Sequence, residues 1–221
     1  MDLKDYSSLE GHVIMVDKPL EWTSFDVVKK LKYALNIKKV GHAGTLDPLA
    51  TGLLILCTGK KTKEIEKFQS QEKEYEGTLV IGQTTPSYDL ETEPTQPVDI
   101  SGITEKDINE ATRNFIGTIE QVPPIFSAVK VAGKRAYSHA RKGNKVEIKS
   151  RKVRITTFDI LDINLPEIRF KVNCSKGTYI RSLVNDYGEA LGVGAYLSQL
   201  RRTKIGQYSV DDALTIEALT Q

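Results

Sequence analysis

Two cysteines, three histidines and one tryptophan are all that 221 residues contain of three side chains that often hold metals, form disulfides or anchor interfaces. Cys57 and Cys174 fall in apolar, strand-like runs, where a buried free thiol is expected rather than a disulfide or a nucleophile. No His and Cys cluster stands at metal-ligand spacing, which leaves metal-assisted hydrolysis poorly supported. Neither GxxxxGK[ST] nor a GxGxxG opening a helix occurs, so the glycines that are present do not read as a nucleotide-binding loop. No apolar run approaches a membrane span. The opening MDLKDYSSLEGH has neither a signal-peptide core nor an arginine-rich presequence, and a cytoplasmic location is expected.

What is there is a chain with 39% hydrophobic and 27% charged residues, enough to bury a core as one large or two small domains. Its net charge of +2 hides a strong asymmetry. From Val122 to Arg154 ten Lys or Arg stand against one acid, Glu147, so that segment carries +9 and the other 188 residues carry −7. Tyr137 and His139 lie among those cations, which is the footprint of a polyanion partner, although a basic loop can also be mere solvated surface.

The stretch from Gly41 to Gly59, GHAGTLDPLATGLLILCTG, is the one the chain is organised around. Gly41, Gly44 and Gly52 permit turns that other residues resist, and Pro48 biases Asp47 away from helical angles. A carboxylate on a stiff, exposed turn is expected, with Leu53 to Leu56 as a buried strand anchoring it. By itself an Asp before Pro is more often a turn former than a catalyst.

Along the chain, His12 to Asp17 reads as a strand, and Thr23 or Ser24 caps a helix with Asp26 in its first turn and Val27, Val28, Leu31, Ala34 and Leu35 on one face. Lys60 to Lys67 is a charged helical or loop connection, Lys73 to Gly82 a strand, and Thr84 to Gly102 a long loop. Thr104 and Asp107 start a second helix whose Ile108, Ala111, Phe115 and Ile116 face inward. The basic segment follows as an excursion, partly helical around Tyr137 to Lys142. Arg151 to Ile163 and Ile168 to Ser175 form an antiparallel hairpin around Leu165-Pro166. A helix carrying Leu183, Val184, Tyr187 and Leu191 then ends at Gly192 and Gly194. Short strands at Ala195 to Thr203 and Gln207 to Val210 and a terminal helix from Asp211 to Gln221 close the chain.

Several of these stretches, in this order, resemble the TruB family of tRNA pseudouridine-55 synthases over nearly the whole chain. They are GHAGTLDPLATGLL itself, Val16-Asp17-Lys18-Pro19 with Trp22-Thr23-Ser24, and Lys73 to Gly82 with Tyr75. They continue through Pro123 to Lys130, Gly133 to Tyr137, Cys174 to Arg181 (CSKGTYIR) and Leu200-Arg201-Arg202. The resemblance implies an isomerase that converts one uridine of the tRNA T-loop to pseudouridine with neither cofactor nor metal. Detaching the base at N1 and rejoining it through C5 requires a group that captures or stabilises an electron-poor sugar or adds to C6, and an ionised Asp does either. Deprotonation at C2′ is a third route, and the residues do not separate the three.

By the same resemblance Asp47 is the catalytic nucleophile. Arg181 is the cation that holds it ionised and aimed, and Tyr75 is the aromatic that stacks on the flipped base and takes part in proton removal from C5. Tyr179 and Leu200 line the pocket, His42 contacts the rearranged T-loop, and Lys18, Asp89, Lys130 and Tyr137 bind substrate. The implied fold is α+β, the pseudouridine synthase catalytic fold, with a mixed, largely antiparallel sheet flanked by helices. It spans 1–221 as a single domain with a thumb-like RNA-gripping insertion at 122–154 and no PUA domain, and a monomer is expected. Family members carry a TxTxD pattern where this chain has Pro86 and Tyr88 in unusual places before Asp89, so the role of Asp89 in contacting substrate or ordering its loop is open. The alternative to an enzyme is a tRNA-binding folding factor whose catalysis is secondary.

Overall fold

The run Leu53 to Leu56 is apolar at every position because both of its faces are covered. In the computed structural model, which describes residues 6, 8–127, 129–131, 134–136 and 147–220, it lies inside β3 (Ala50–Thr58). Leu54 and Leu56 enter one cluster with Ile14, Val16, Val27, Leu31 and Ile216. Leu53, Ile55 and Cys57 enter another with Phe68, Ile205 and Val210. A strand with two buried faces loses the polar alternation of a half-exposed one.

Packing divides the chain into two compact units, Met1–Glu76 with Leu200–Gln221, and Gly77–Gln199. In the first, β1 (Val13–Lys18) runs antiparallel to β3, with Lys18 opposite Gly52. α1 (Ser24–Ala34) begins with a capping box in which Thr23 accepts from the Asp26 N–H and Asp26 accepts from Thr23. Its Val27, Val28 and Leu31 are buried as expected, whereas Ala34 is exposed. β2 (Val40–His42) pairs with β3, and the charged connection becomes a 3₁₀ turn at Gly59–Glu64 followed by α2 (Ile65–Gln69).

In the second unit, α3 (Glu105–Thr112) has the expected Thr104–Asp107 capping box. Ile108, Ala111 and Phe115 are buried, but Ile116 is 46% exposed because the chain has already left the helix there and turns extended. The sequence reading missed β5 (Gly117–Gln121), which pairs with β8 (Arg151–Asn164). A short pair, β6 (Lys130–Val131) and β7 (Lys134–Arg135), falls inside the basic segment. β8 and β9 (Glu167–Cys174) form the antiparallel hairpin. α4 (Ile180–Ala190) buries Leu183 and Val184 and lays Tyr187 against Phe115 and Phe158, the latter in turn edge-on to Phe170.

β4 (Lys73–Ile81) and β10 (Ala195–Ile205) each contribute residues to both units. Leu200, on β10, stands beside Ala50 in a parallel register, and β11 (Tyr208–Ser209) folds back on the end of β10. Among the described residues nine strands form one mixed sheet flanked by helices. The terminal helix is shorter than expected: a 3₁₀ turn at Val210–Asp212 precedes α5 (Ile216–Thr220), because Leu214 bonds to β1 through Asp17 N–H and Met15 C=O. Tyr137, and the helical turn expected around it, lie outside the described residues.

Gly52 is a position in the first unit that no other residue can fill without strain. Its φ is +102°, and a Cβ there would stand 2.3 Å from the Arg202 carbonyl oxygen. Gly52→Ala should therefore lose more than about 1 kcal/mol in urea unfolding. Gly102→Ala, where a Cβ would meet nothing within 4 Å, should stay within about 0.5 kcal/mol of wild type.

Candidate active site

The Asp47 loop is glycine-containing; Ala43 and Leu46 anchor it in the core, and a set of buried polar groups is aimed at its backbone. Ser24, the first residue of α1, accepts a hydrogen bond from Leu46 N–H (2.9 Å) and donates to Leu46 C=O (3.2 Å). Lys18, fully buried, donates from Nζ to the carbonyls of Pro19 (2.8 Å), Trp22 (2.6 Å) and Pro48 (3.4 Å). Glu21 N–H also reaches the Pro48 carbonyl at 2.9 Å. Arg202, 1% exposed, donates from Nε to Leu53 C=O (2.7 Å) and from Nη2 to Gly44 C=O (3.3 Å). Asp47 itself closes a turn, its carbonyl accepting from Ala50 N–H at 3.0 Å. The side chain is half-buried, less open than the exposed turn expected from sequence.

Besides Lys18, three expected site residues share this unit with Asp47. His42 ends β2 and is half-buried. Burial lowers its pKa, with the Gly44 backbone opposing and the Arg202 charge adding to the effect, which favours the neutral imidazole. Leu200 lies next to Ala50, at the end of the Asp47 loop. Tyr75 lies on β4, 8% exposed. Next to Leu200, Arg201 makes a two-pronged ion pair with Asp17 at 3.0 and 2.7 Å, at the end of β1 that delivers Lys18.

The second unit holds the others. Arg181, in the first turn of α4 and 4% exposed, donates from Nη1 to Ser87 C=O (3.1 Å) and from Nη2 to Phe126 C=O (2.9 Å). Its Nε lies 3.4 Å from Asp89 Oδ2. Asp89 is 5% exposed and orders its own loop: Oδ1 accepts from Glu91 N–H, and its carbonyl accepts from the Thr85 and Ser87 hydroxyls. Tyr88 takes the left-handed φ of +65° beside it. The irregular TPSYD stretch is thus built around a buried ion pair, whose loss of one partner costs about 3–5 kcal/mol. Tyr179 caps α4, and its backbone is gripped at both ends by the Gln121 amide, which accepts from Tyr179 N–H (2.8 Å) and donates to Tyr179 C=O (3.1 Å). Lys130 lies in β6.

Sequence reasoning missed Ser24, Arg202 and Gln121 as organisers of these loops. The only trace of them was their place inside or beside the quoted motifs. A groove of about 730 Å³ elsewhere in the first unit runs along α1 between Trp22, Lys29, Lys30 and Tyr33, and Asp47 does not line it.

Residues 32–180 match the model of the TruB family pseudouridylate synthase N-terminal domain, and residues 181–221 that of the tRNA pseudouridylate synthase B C-terminal domain. The chain is 57% identical to the tRNA pseudouridine synthase B of Flavobacterium johnsoniae, covering 94% of each chain. It is 54% identical to that of Phocaeicola vulgatus, covering 96% of this chain and 93% of the relative. Among solved structures it is similar to a chain of a Cbf5-Nop10-Gar1 complex, with a TM-score of 0.73 and 30% identity; 98% of this chain is covered, and it spans about half (55%) of the other.

Lys18 yields a pH prediction. Burial, partly opposed by the Asp47 carboxylate, lowers its pKa from 10.5 to about 8. Between those values the folded protein binds fewer protons than the unfolded chain, so stability rises with pH. The contribution is complete above about pH 10.5 and lost as pH falls through about 8. The stability of wild type relative to Lys18→Met should therefore improve as pH is raised through that window in urea titrations. A difference that stays flat would show that the amine carries no burial cost.

Proposed function

We propose, because the chain belongs to the TruB family of pseudouridylate synthases, that Asp47 is the nucleophile with which it isomerises uridine-55 in the T-loop of tRNA. The activity itself is that of an isomerase turning a tRNA uridine into pseudouridine, and an RNA is its substrate. The observation that carries the assignment to Asp47 is the clamping of its loop. Gly44, Leu46 and Pro48, on both sides of the aspartate, are each gripped through the backbone by a buried side chain. A nucleophile that must meet one atom of an everted nucleotide needs this restraint, since misplacement by about 1 Å costs on the order of 100-fold in rate.

The remaining roles follow the resemblance. The target uridine is flipped out of the folded RNA, because its C1′ and C5 are otherwise hidden. Tyr75 stacks on it and takes part in removing the C5 proton, while Tyr179 and Leu200 line its pocket. His42, whose neutral form burial favours, contacts the T-loop by hydrogen bonding rather than by charge. Arg181 provides the positive charge that keeps Asp47 ionised, and Asp89, 3.4 Å from the Arg181 Nε, helps to hold the guanidinium in place. Lys18, Lys130 and Tyr137 contribute to substrate binding, Lys18 through the loop it orders. The basic segment 122–154 grips the T-arm, the protein works as a monomer in the cytoplasm, and neither cofactor nor metal takes part.

Asp47→Asn should form no detectable pseudouridine on unmodified tRNA, mapped by chemical labelling and reverse transcription, while filter binding of the same tRNA persists. Wild-type rates in that variant would remove Asp47 from the chemistry; a wild type that binds tRNA without modifying it would favour the folding-factor reading. Arg181→Lys keeps the charge and loses the fork, and its single-turnover rate should fall by about 100-fold or more. Its unfolding midpoint must be measured alongside, because the Asp89 pair is buried. A rate within a few-fold of wild type in a folded variant would rule out the charge-pairing role.

A further inference from the structure

Arg151 opens β8 directly opposite Gln121, the residue whose amide grips the Tyr179 backbone. One strand end thus builds both partners of a stack: the Arg151 guanidinium carbon lies 4.5 Å from the centre of the Tyr179 ring. Such a contact attracts the cation to the ring face but leaves the in-plane N–H groups unused. Two of those nitrogens, Nε and Nη2, are shielded from solvent and have no hydrogen-bond partner among the described residues. They are not a random pair. Nε–H and Nη2–H point the same way from the plane's edge, and together they form the fork that accepts two oxygens of one carboxylate or phosphate.

A shielded guanidinium with an empty fork is disfavoured unless something completes it. The surroundings say what kind of group does so. The segment 122–154 to which Arg151 belongs carries +9, and its one acid is Glu147. The nearest acid on the paired strand, Glu120, already accepts from Ser150 Oγ at 3.3 Å. An RNA, by contrast, offers two non-bridging oxygens at every phosphodiester.

We propose that Arg151 is a phosphate-binding residue: Nε and Nη2 take the two non-bridging oxygens of a single RNA phosphodiester, and the stack on Tyr179 fixes the direction in which the fork points. The inference rests on the RNA-modifying reading above and adds to it one contact beside a pocket-lining tyrosine. Because both nitrogens are shielded, the phosphate reaches them through a local opening that accompanies RNA binding. The contact positions the backbone of the substrate and takes no part in bond making.

The test uses the full chain, an unmodified T-arm stem-loop, and versions of that RNA in which each phosphate in turn is an uncharged methylphosphonate. Arg151→Gln should weaken binding by about 10-fold and reduce the slope of log K against log salt by about 0.7–0.9, the share of one phosphate contact. Arg151→Lys should keep most of the slope and lose part of the affinity, since it keeps the charge without the fork. At one position the methylphosphonate should weaken wild type as much as Arg151→Gln does, and should add nothing to that variant. Unchanged affinity and slope in Arg151→Gln, or losses that add at every methylphosphonate, would overturn the proposal. So would a lowered melting temperature with an unchanged slope, which would leave Arg151 only as a support for Tyr179, its fork filled by water. Failure of the wild type to modify tRNA would strike the broader reading instead, and is read independently of these variants.

Discussion

Buried cations aimed at backbone carbonyls are the constraint on which the rest of this structure depends. Lys18 and Arg202 are almost completely enclosed, and between them they hold the carbonyls of Gly44, Pro48 and Leu53, before and after Asp47. Enclosing an ammonium or a guanidinium is costly, and the cost is offset only while its donors find acceptors. The loop therefore cannot swing away without costing Lys18 and Arg202 each a carbonyl acceptor. Glycines that would otherwise make the segment pliable become the points at which it bends to a fixed course. The lowered pKa of Lys18 is the residue of the same compromise, since burial disfavours the charge that the carbonyls require.

The Gly77–Gln199 unit repeats the device with different acceptors. Arg181 is held by two carbonyls and by Asp89, and the same Asp89 ties together the turn in which Tyr88 is forced to a positive φ. A proline and a tyrosine that break the family pattern are thereby accommodated, because the contacts that matter run through backbone carbonyls and a single carboxylate. Arg151 differs from both. Its cationic face is covered by a ring while its fork has no partner among the described residues, which is why it reads as a receptor for something outside the chain rather than as a brace within it.

Elements specified by their own residues were legible. Both capping boxes, Thr23 with Asp26 and Thr104 with Asp107, stand where the spacing put them, and the β8–β9 hairpin turns at Leu165-Pro166. Elements specified by a neighbour were not. Gly117 to Gln121 has little apolar alternation, and it is a strand because β8 supplies the ladder. Ile116 was assigned to a helix that ends before it, and the last helix was drawn too long because Leu214 is drawn into a bridge with β1. Asp47 stood out only through its resemblance to a family motif, since Asp-Pro in a glycine-rich loop is ordinary turn chemistry.

The sequence by itself determined what depends on near neighbours: the periodicities, the caps, the glycine-bent loop, the concentration of positive charge, and the ordered motifs that mark the family. Tertiary structure alone decided which polar groups are buried together. Arg202 reaches Leu53 and Gly44 across 149 and 158 residues, and Gln121 reaches Tyr179 across 58. Such pairings leave no periodic trace along the chain. They are fixed by which strands lie side by side, and only there does the low dielectric make each hydrogen bond to a cation decisive.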